Sequence, residues 1–176
     1  MSAPGDARLS PAEVAALLPA TVALLHAEIG SLPERVLAWH PAPGEWCVKD
    51  VLGHLIEAER RGFAGRIRVI LDAETPALEG WDPPAVAAAR NDCARPAGAL
   101  LDELTAMREE SAALVGRLLA ADLDRAGRHP QVGRLSVRDL LQEWVHHDRN
   151  HIRQALANVQ AYVWPAMGNA QKFSAA

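Results

Sequence analysis

No run of 18 apolar residues occurs in this chain, so nothing in it reads as a membrane span. The opening Met1-Ser2-Ala3-Pro4-Gly5-Asp6 has neither the basic n-region nor the apolar h-region of a secretion signal. Cysteine is scarce: Cys47 and Cys93 are too few for a disulfide framework and fit a reducing, cytoplasmic setting. There is no basic block and no interleaved basic-aromatic stripe, which argues against a nucleic-acid partner. The charge balance, 18 Lys and Arg against 22 Asp and Glu, leaves a net −4. No segment reads convincingly as a strand.

What is present favours helix. Hydrophobic residues make up 49% of 176 residues, Ala and Leu foremost, enough for one domain with a real core. Met1 to Leu9 reads as a loose tail. Ser10-Pro11-Ala12-Glu13 is a helix start, with Ser as cap, Pro at the first helical position and Glu three after the cap. Val14, Leu17, Leu18, Val22, Leu25 and Ile29 follow at helical spacing, with Pro19 expected to bend this helix or delay its start. A short turn of helix is expected at Glu34 to Ala38.

A second helix is expected from Val48 to about Ala73. Cys47-Val48-Lys49-Asp50-Val51-Leu52 matches Ser136-Val137-Arg138-Asp139-Leu140-Leu141 position by position, a shared helix-start grammar with Cys as the weaker cap. Glu74 to about Arg95 is a long connection, with a short helix at Ala85 to Arg90, that lets the chain cross over before helix three. Helix three spans Ala97 to about Ala121. Asp122 to Leu135 reads as a loop, and helix four spans Val137 to about Ala161. Residues 10–161 thus form a single all-α four-helix bundle. Residues 162–176 are a tail whose Trp164, Met167 and Phe173 suit packing on the body or on a partner.

The chemistry concentrates in helix four. His147 and His151 are four apart, so a helix sets both rings on one face, with Cβ atoms about 5–6 Å apart. Leu140, Trp144 and Ala155 share that face, so it points into the protein. His54 lies in helix two, at the head of a stripe of small residues, Ala58, Gly62 and Gly65, that leaves room for a ligand or for close helix packing. Three neutral imidazoles on one divalent ion leave positions open, as in a catalytic or substrate-binding site. Zn, Ni, Fe and Mn all suit the set. Such an ion lowers the pKa of a bound water or thiol.

Two other metal motifs fail. Glu143-Trp144-Val145-His146 is an E-x-x-H, but a di-iron bundle needs a second one, and there is none. His147-Asp148-Arg149-Asn150-His151 resembles a zincin motif with Asp for Glu, yet no His, Asp or Glu follows His151 to supply the third ligand. Asp50, Glu57 and Gln154 are candidates to orient the rings from behind. Arg149 and Arg153 could hold an anionic substrate. His26, His40 and His129 read as surface or loop residues.

Glu45-Trp46-Cys47-Val48-Lys49-Asp50-Val51-Leu52-Gly53-His54-Leu55, followed by Trp144-Val145-His146-His147-Asp148-Arg149-Asn150-His151-Ile152-Arg153-Gln154, resembles the DinB/YfiT-like superfamily across nearly the whole chain. The departure is Cys47, where that family usually has Ser. The resemblance implies an up-down-down-up bundle, one divalent metal on His54, His147 and His151, and often a homodimer. It also implies a small-molecule substrate and, in characterised relatives, a thiol cofactor such as mycothiol, bacillithiol or glutathione. A thiol-dependent S-transferase is the first expectation. A metal-dependent hydrolase, or a metal-binding protein without catalysis, is the alternative.

Overall fold

A computed structural model of the chain describes residues 8–174. Most of the expected loose tail, residues 1–7, lies outside them, but Leu9 is held: its N–H donates to Gln142 Oε1 and its carbonyl accepts from Gln142 Nε2. Helix α1, Pro11–Ile29, starts where expected, with Ser10 and Glu13 closing a reciprocal capping box. It runs through Pro19 without ending. By length and composition alone α1 would be apolar enough to cross a membrane, yet its Val14, Leu18, Val22, Leu25 and Ile29 lie inside the bundle. Helix α2, Glu34–Leu37, is a single turn.

The second long helix begins as the sequence echo requires. In α3, Val48–Glu57, the Asp50 N–H donates to Cys47 Sγ while Asp50 Oδ2 accepts from the Cys47 N–H. It does not continue regularly. A π-turn occupies Ala58–Gly62, with the Phe63 N–H donating to the Ala58 carbonyl, and α4, Ala64–Asp72, resumes after it. The turn packs one extra residue into the helix, so everything beyond it is re-phased.

The crossover carries α5, Pro83–Arg90, and a short 3₁₀ turn over Asp92–Ala94. It docks on α3 at Gly53, where an added Cβ would strike the Asp92 carboxylate. Asp92 is buried and clamped by Arg90 and Arg95. Helix α6, Ala97–Val115, ends six residues before the expected boundary.

The chain is not all helix. The expected loop after helix three contains an antiparallel hairpin, β1, Ala126–His129, and β2, Gly133–Ser136, with Arg128 paired to Arg134. Leu78 donates to the Arg128 carbonyl and Arg128 to the Pro76 carbonyl, which ties the hairpin to the crossover. Helix α7, Val137–Val163, opens on the second capping box, Ser136 with Asp139. After a 3₁₀ turn, α8, Gln171–Ser174, ends the described residues. Within the expected C-terminal tail, Tyr162 meets Trp39 edge to face, whereas Phe173 is 90% exposed.

In the bundle, α1 packs on α6 and α7, and α3 packs on the same two helices, so α1 and α3 lie diagonally. The apolar interior falls into two clusters. One gathers Val22, Leu25, Leu52, Leu55, Leu104, Ile152 and Ala155. The other gathers Val14, Leu18, Phe63, Ile67, Val115, Leu140 and Trp144. Between them along each helix lies a buried polar layer: Thr21, His54, Glu59, Arg108, Ser111 and Asp148.

Candidate metal centre

The three histidines selected from the sequence converge in that layer. His54 comes from α3, and His147 and His151 come from successive turns of α7. A ring nitrogen from each lies within 4.8 Å of those of the other two. His54 Nε2 and His147 Nε2 are 3.0 Å apart. The His151 Nδ1–H donates to Gln154 Oε1 at 2.8 Å, which leaves Nε2 as its bare nitrogen. The Nδ1 atoms of His54 and His147 are buried with no hydrogen-bond partner among the described residues.

Aromatic rings wall the group. Trp46 lies against His54 at 4.9 Å and stacks on His151 at 6.3 Å between centroids. Trp81 stacks on His54 at 5.5 Å. Phe63, turned inward by the π-turn, meets His147 edge-on at 5.1 Å and stacks on Trp144. Asn158 Nδ2 donates to the Trp46 carbonyl and so fixes Trp46.

Burial first, and then the neighbouring rings, push His54 down to about 3. Burial, then His151, then Arg108, do the same for His147, also to about 3. Burial lowers His151. All three rings are therefore neutral at pH 7, the state in which imidazole is a ligand. Three neutral imidazoles with ring nitrogens gathered at one point fit a divalent cation of the Zn, Ni, Fe or Mn type.

A stability consequence follows. Unfolded histidine takes up a proton near pH 6.5, whereas His54 and His147 resist until about 3. The unfolded state then binds more protons over that window, so metal-free protein loses stability as the pH falls from about 6.5 toward 3. The loss is at most about 1.4 kcal/mol per pH unit per ring. Denaturant titrations at several pH values, on chelator-treated wild type and His147→Gln, check this. Parallel pH profiles for the two would refute it.

Behind the rings sits a buried charge group. The Arg108 guanidinium forks onto Asp148 at 2.7 and 2.8 Å, and its Nε lies 3.0 Å from Glu59 Oε2. All three side chains are at most 2% exposed. The Nε contact is close enough for an ion pair but poorly aimed, since neither it nor the Glu59 oxygens make a proper hydrogen bond. One cation cannot neutralise two carboxylates. Burial therefore raises Glu59 to about 7, against the pull of Arg108, while Asp148 holds the guanidinium.

Other candidates lie elsewhere. Asp50 caps α3 and touches Cys93, so it supports no ring. Glu57 is taken by Arg60, Arg61 and Arg90. Arg149 donates to Thr21 and Arg153 to Asn150, and neither lines the cavity at the site. Of the supports named, only Gln154 touches a ligand ring.

That cavity measures about 980 Å³ and opens against His54 and His147. Ala58 and Gly62 of the small-residue stripe line it, and a Cβ on Gly62 would meet only the Ala58 methyl at 3.9 Å. Gly65 does not belong to it, because its Cβ position is filled by the Arg60 carbonyl of the π-turn. Two lining residues escaped the sequence reading. His129 is no surface residue: β1 carries it inward to 8% exposure, where burial and then Arg66 keep its pKa low. Arg66 donates to His129 Nε2 and to the Glu79 carbonyl, and its buried Nε has no partner among the described residues.

The sequence profile of the DinB superfamily matches residues 17–155. The chain belongs to the DinB superfamily. The chain is similar to the uncharacterized protein YuaE of Bacillus subtilis (strain 168), 27% identical over 139 residues, covering 72% of this chain and 85% of YuaE. The fold is similar to that of YfiT from Bacillus subtilis, described as "a probable metal-dependent hydrolase with an unusual four-helix bundle topology". The TM-score is 0.80 at 20% identity, over 93% of this chain and 95% of YfiT.

Proposed function

We propose that this DinB-superfamily protein is a metal-dependent enzyme, foremost a hydrolase, acting on small molecules that carry an anionic group. The observation that carries the reading is the convergence of three neutral imidazoles at the edge of a cavity large enough for a small substrate. When bound, a divalent ion supplies Lewis acidity there, making a water or thiol nucleophilic near neutral pH.

The chain's own residues do the rest. His54, His147 and His151 bring no charge to the ion. Trp46, Trp81 and Phe63 pack on the rings and hold their orientation. Arg66 presents a guanidinium with no carboxylate partner among the described residues, in a cavity shared with the metal centre, and so would hold a substrate carboxylate or phosphate.

The test compares metal-loaded and chelated protein on a panel of small esters and amides bearing carboxylate or phosphate, with and without a low-molecular-weight thiol. Chelator-sensitive turnover without thiol is expected. Turnover that survives both chelation and His147→Ala would end the proposal. S-transfer to an electrophile is the second reading, favoured by a cavity with room for a thiol and its partner together. Turnover only in the presence of thiol would select it.

Arg66→Ala is expected to raise KM for anionic substrates about 10- to 100-fold, the loss of one charged hydrogen-bonding group. Neutral analogues should change far less. Equal effects on both would remove Arg66 from substrate binding.

A further inference from the structure

From the sequence, Cys47 and Cys93 are too few for a disulfide framework and fit a reducing setting. The structure joins them in a disulfide across 46 residues of sequence, because the crossover folds back onto the start of α3. Two further ligating side chains stand at the same point, His40 from the Trp39–Trp46 connection and Asp50 from the first turn of α3. One ligand atom from each of the four lies within 4.8 Å of all the others.

We propose that His40, Cys47, Asp50 and Cys93 form a second metal site, gated by redox state, which takes a thiophilic divalent cation such as Zn²⁺ when the cysteines are reduced. Two sulfurs, one imidazole nitrogen and one carboxylate oxygen are a tetrahedral zinc donor set. Three anionic ligands offset the double charge of the ion.

The contacts around the disulfide would also serve the reduced state. Cys93 Sγ lies 3.1 Å from Asp50 Oδ2. A disulfide sulfur has no proton to donate, so that approach is a hydrogen bond only when Cys93 is a thiol, and a pair of co-ligands when an ion stands between them. The Asp50 N–H points at Cys47 Sγ from 3.4 Å, and Cys47 caps a helix N-terminus, both of which favour thiolate over thiol. His40 Nδ1–H donates to the Glu45 carbonyl at 2.7 Å, the outer hydrogen bond that fixes the tautomer of a ligating histidine and leaves Nε2 bare.

The gating step is thiol–disulfide exchange with a low-molecular-weight disulfide. Cys93 is the more accessible sulfur, whereas Cys47 is fully buried. The Cys93 thiolate attacks the disulfide RSSR and releases RS⁻. Cys47 then displaces the second RS⁻ from the mixed disulfide. Two protein thiolates lose two electrons, one RSSR gains them, and two RS⁻ leave, each free to take a proton from water. With both thiolates consumed, the cation loses half its ligands and dissociates. Trp46 immediately precedes Cys47 and packs on His54 and His151, so the state of this site reaches the three-histidine centre through one residue.

The test counts bound Zn²⁺ per chain after dialysis, for protein held reduced by a phosphine and for protein oxidised with glutathione disulfide. The reduced form should hold one equivalent more than the oxidised form. Cys93→Ser should remove that difference. With Co²⁺ as probe, reduced protein should show a thiolate-to-cobalt charge-transfer band that persists in His147→Ala and is lost in Cys93→Ser. His40→Ala, which leaves both sulfurs in place, should weaken the extra site at least about 10-fold. Equal metal content in both redox states, or no cobalt–thiolate band in reduced wild type, would overturn the proposal.

Discussion

His147→Ala is expected to abolish stoichiometric metal binding at the three-histidine centre. Metal-loaded wild type should gain thermal stability over its chelated form, by about 2.7 kcal/mol when free metal is a hundredfold above Kd. The variant should gain nothing from that centre. The reason is geometric. His147 Nε2 is the nitrogen 3.0 Å from that of His54, and without it no pair from both α3 and α7 remains except His54 with His151. Gln154→Ala is the graded companion: it leaves the three rings but frees His151, and should weaken binding about 10- to 100-fold. Melting curves against metal concentration, with elemental analysis, read both. A metal-dependent shift in His147→Ala as large as in wild type would dissolve the assignment.

Arg108→Met should cost about 3–5 kcal/mol of folding stability, because it strands a carboxylate in the polar layer. Glu59→Gln should cost far less, within about 1 kcal/mol near pH 7, since burial raises Glu59 to about 7 and so already disfavours its charged form there. Glu59 has a pH signature of its own. Its folded pKa lies above the ordinary 4.5, so its contribution is present below 4.5 and is lost as pH rises toward 7, opposite in sense to the histidines. Urea titrations of the two variants decide. Equal losses would mean that Glu59, rather than Asp148, is the carboxylate Arg108 neutralises. Asp148 follows His147 directly, so the Arg108 fork also fixes the rotation of α7 that aims His147.

The parts of this molecule that could be read from sequence are those set by local chemistry. Ser10, Cys47 and Ser136 announce their helices because a cap and its partner three residues on are a self-contained arrangement. His147 and His151 declare a face because four residues make about one turn. What stayed hidden depends on contacts between distant segments. Arg108 occupies the stripe of Leu100, Leu104, Ser111 and Val115, and that position was the available signal, but only Asp148 and Glu59 make it a buried residue. The hairpin has no run of alternating apolar residues, and its pairing rests on Gly133 at φ 75° and on the crossover backbone at Pro76 and Leu78 beside it. Cys47 and Cys93 meet only because Asp92 settles onto Gly53. Arg66 and His129 are partners only because β1 reaches α4.

The π-turn at Ala58–Gly62 makes the length of helix two a functional quantity. Deleting one of its five residues would restore an ordinary hydrogen-bond ladder and relax the backbone locally. It would also swing every later side chain about 100° around the axis, carrying Phe63 off the His147 ring and Arg66 away from the cavity. Homologous chains that differ by a single insertion or deletion here would share an outline and a set of histidines, yet present their ligands to a differently shaped chamber.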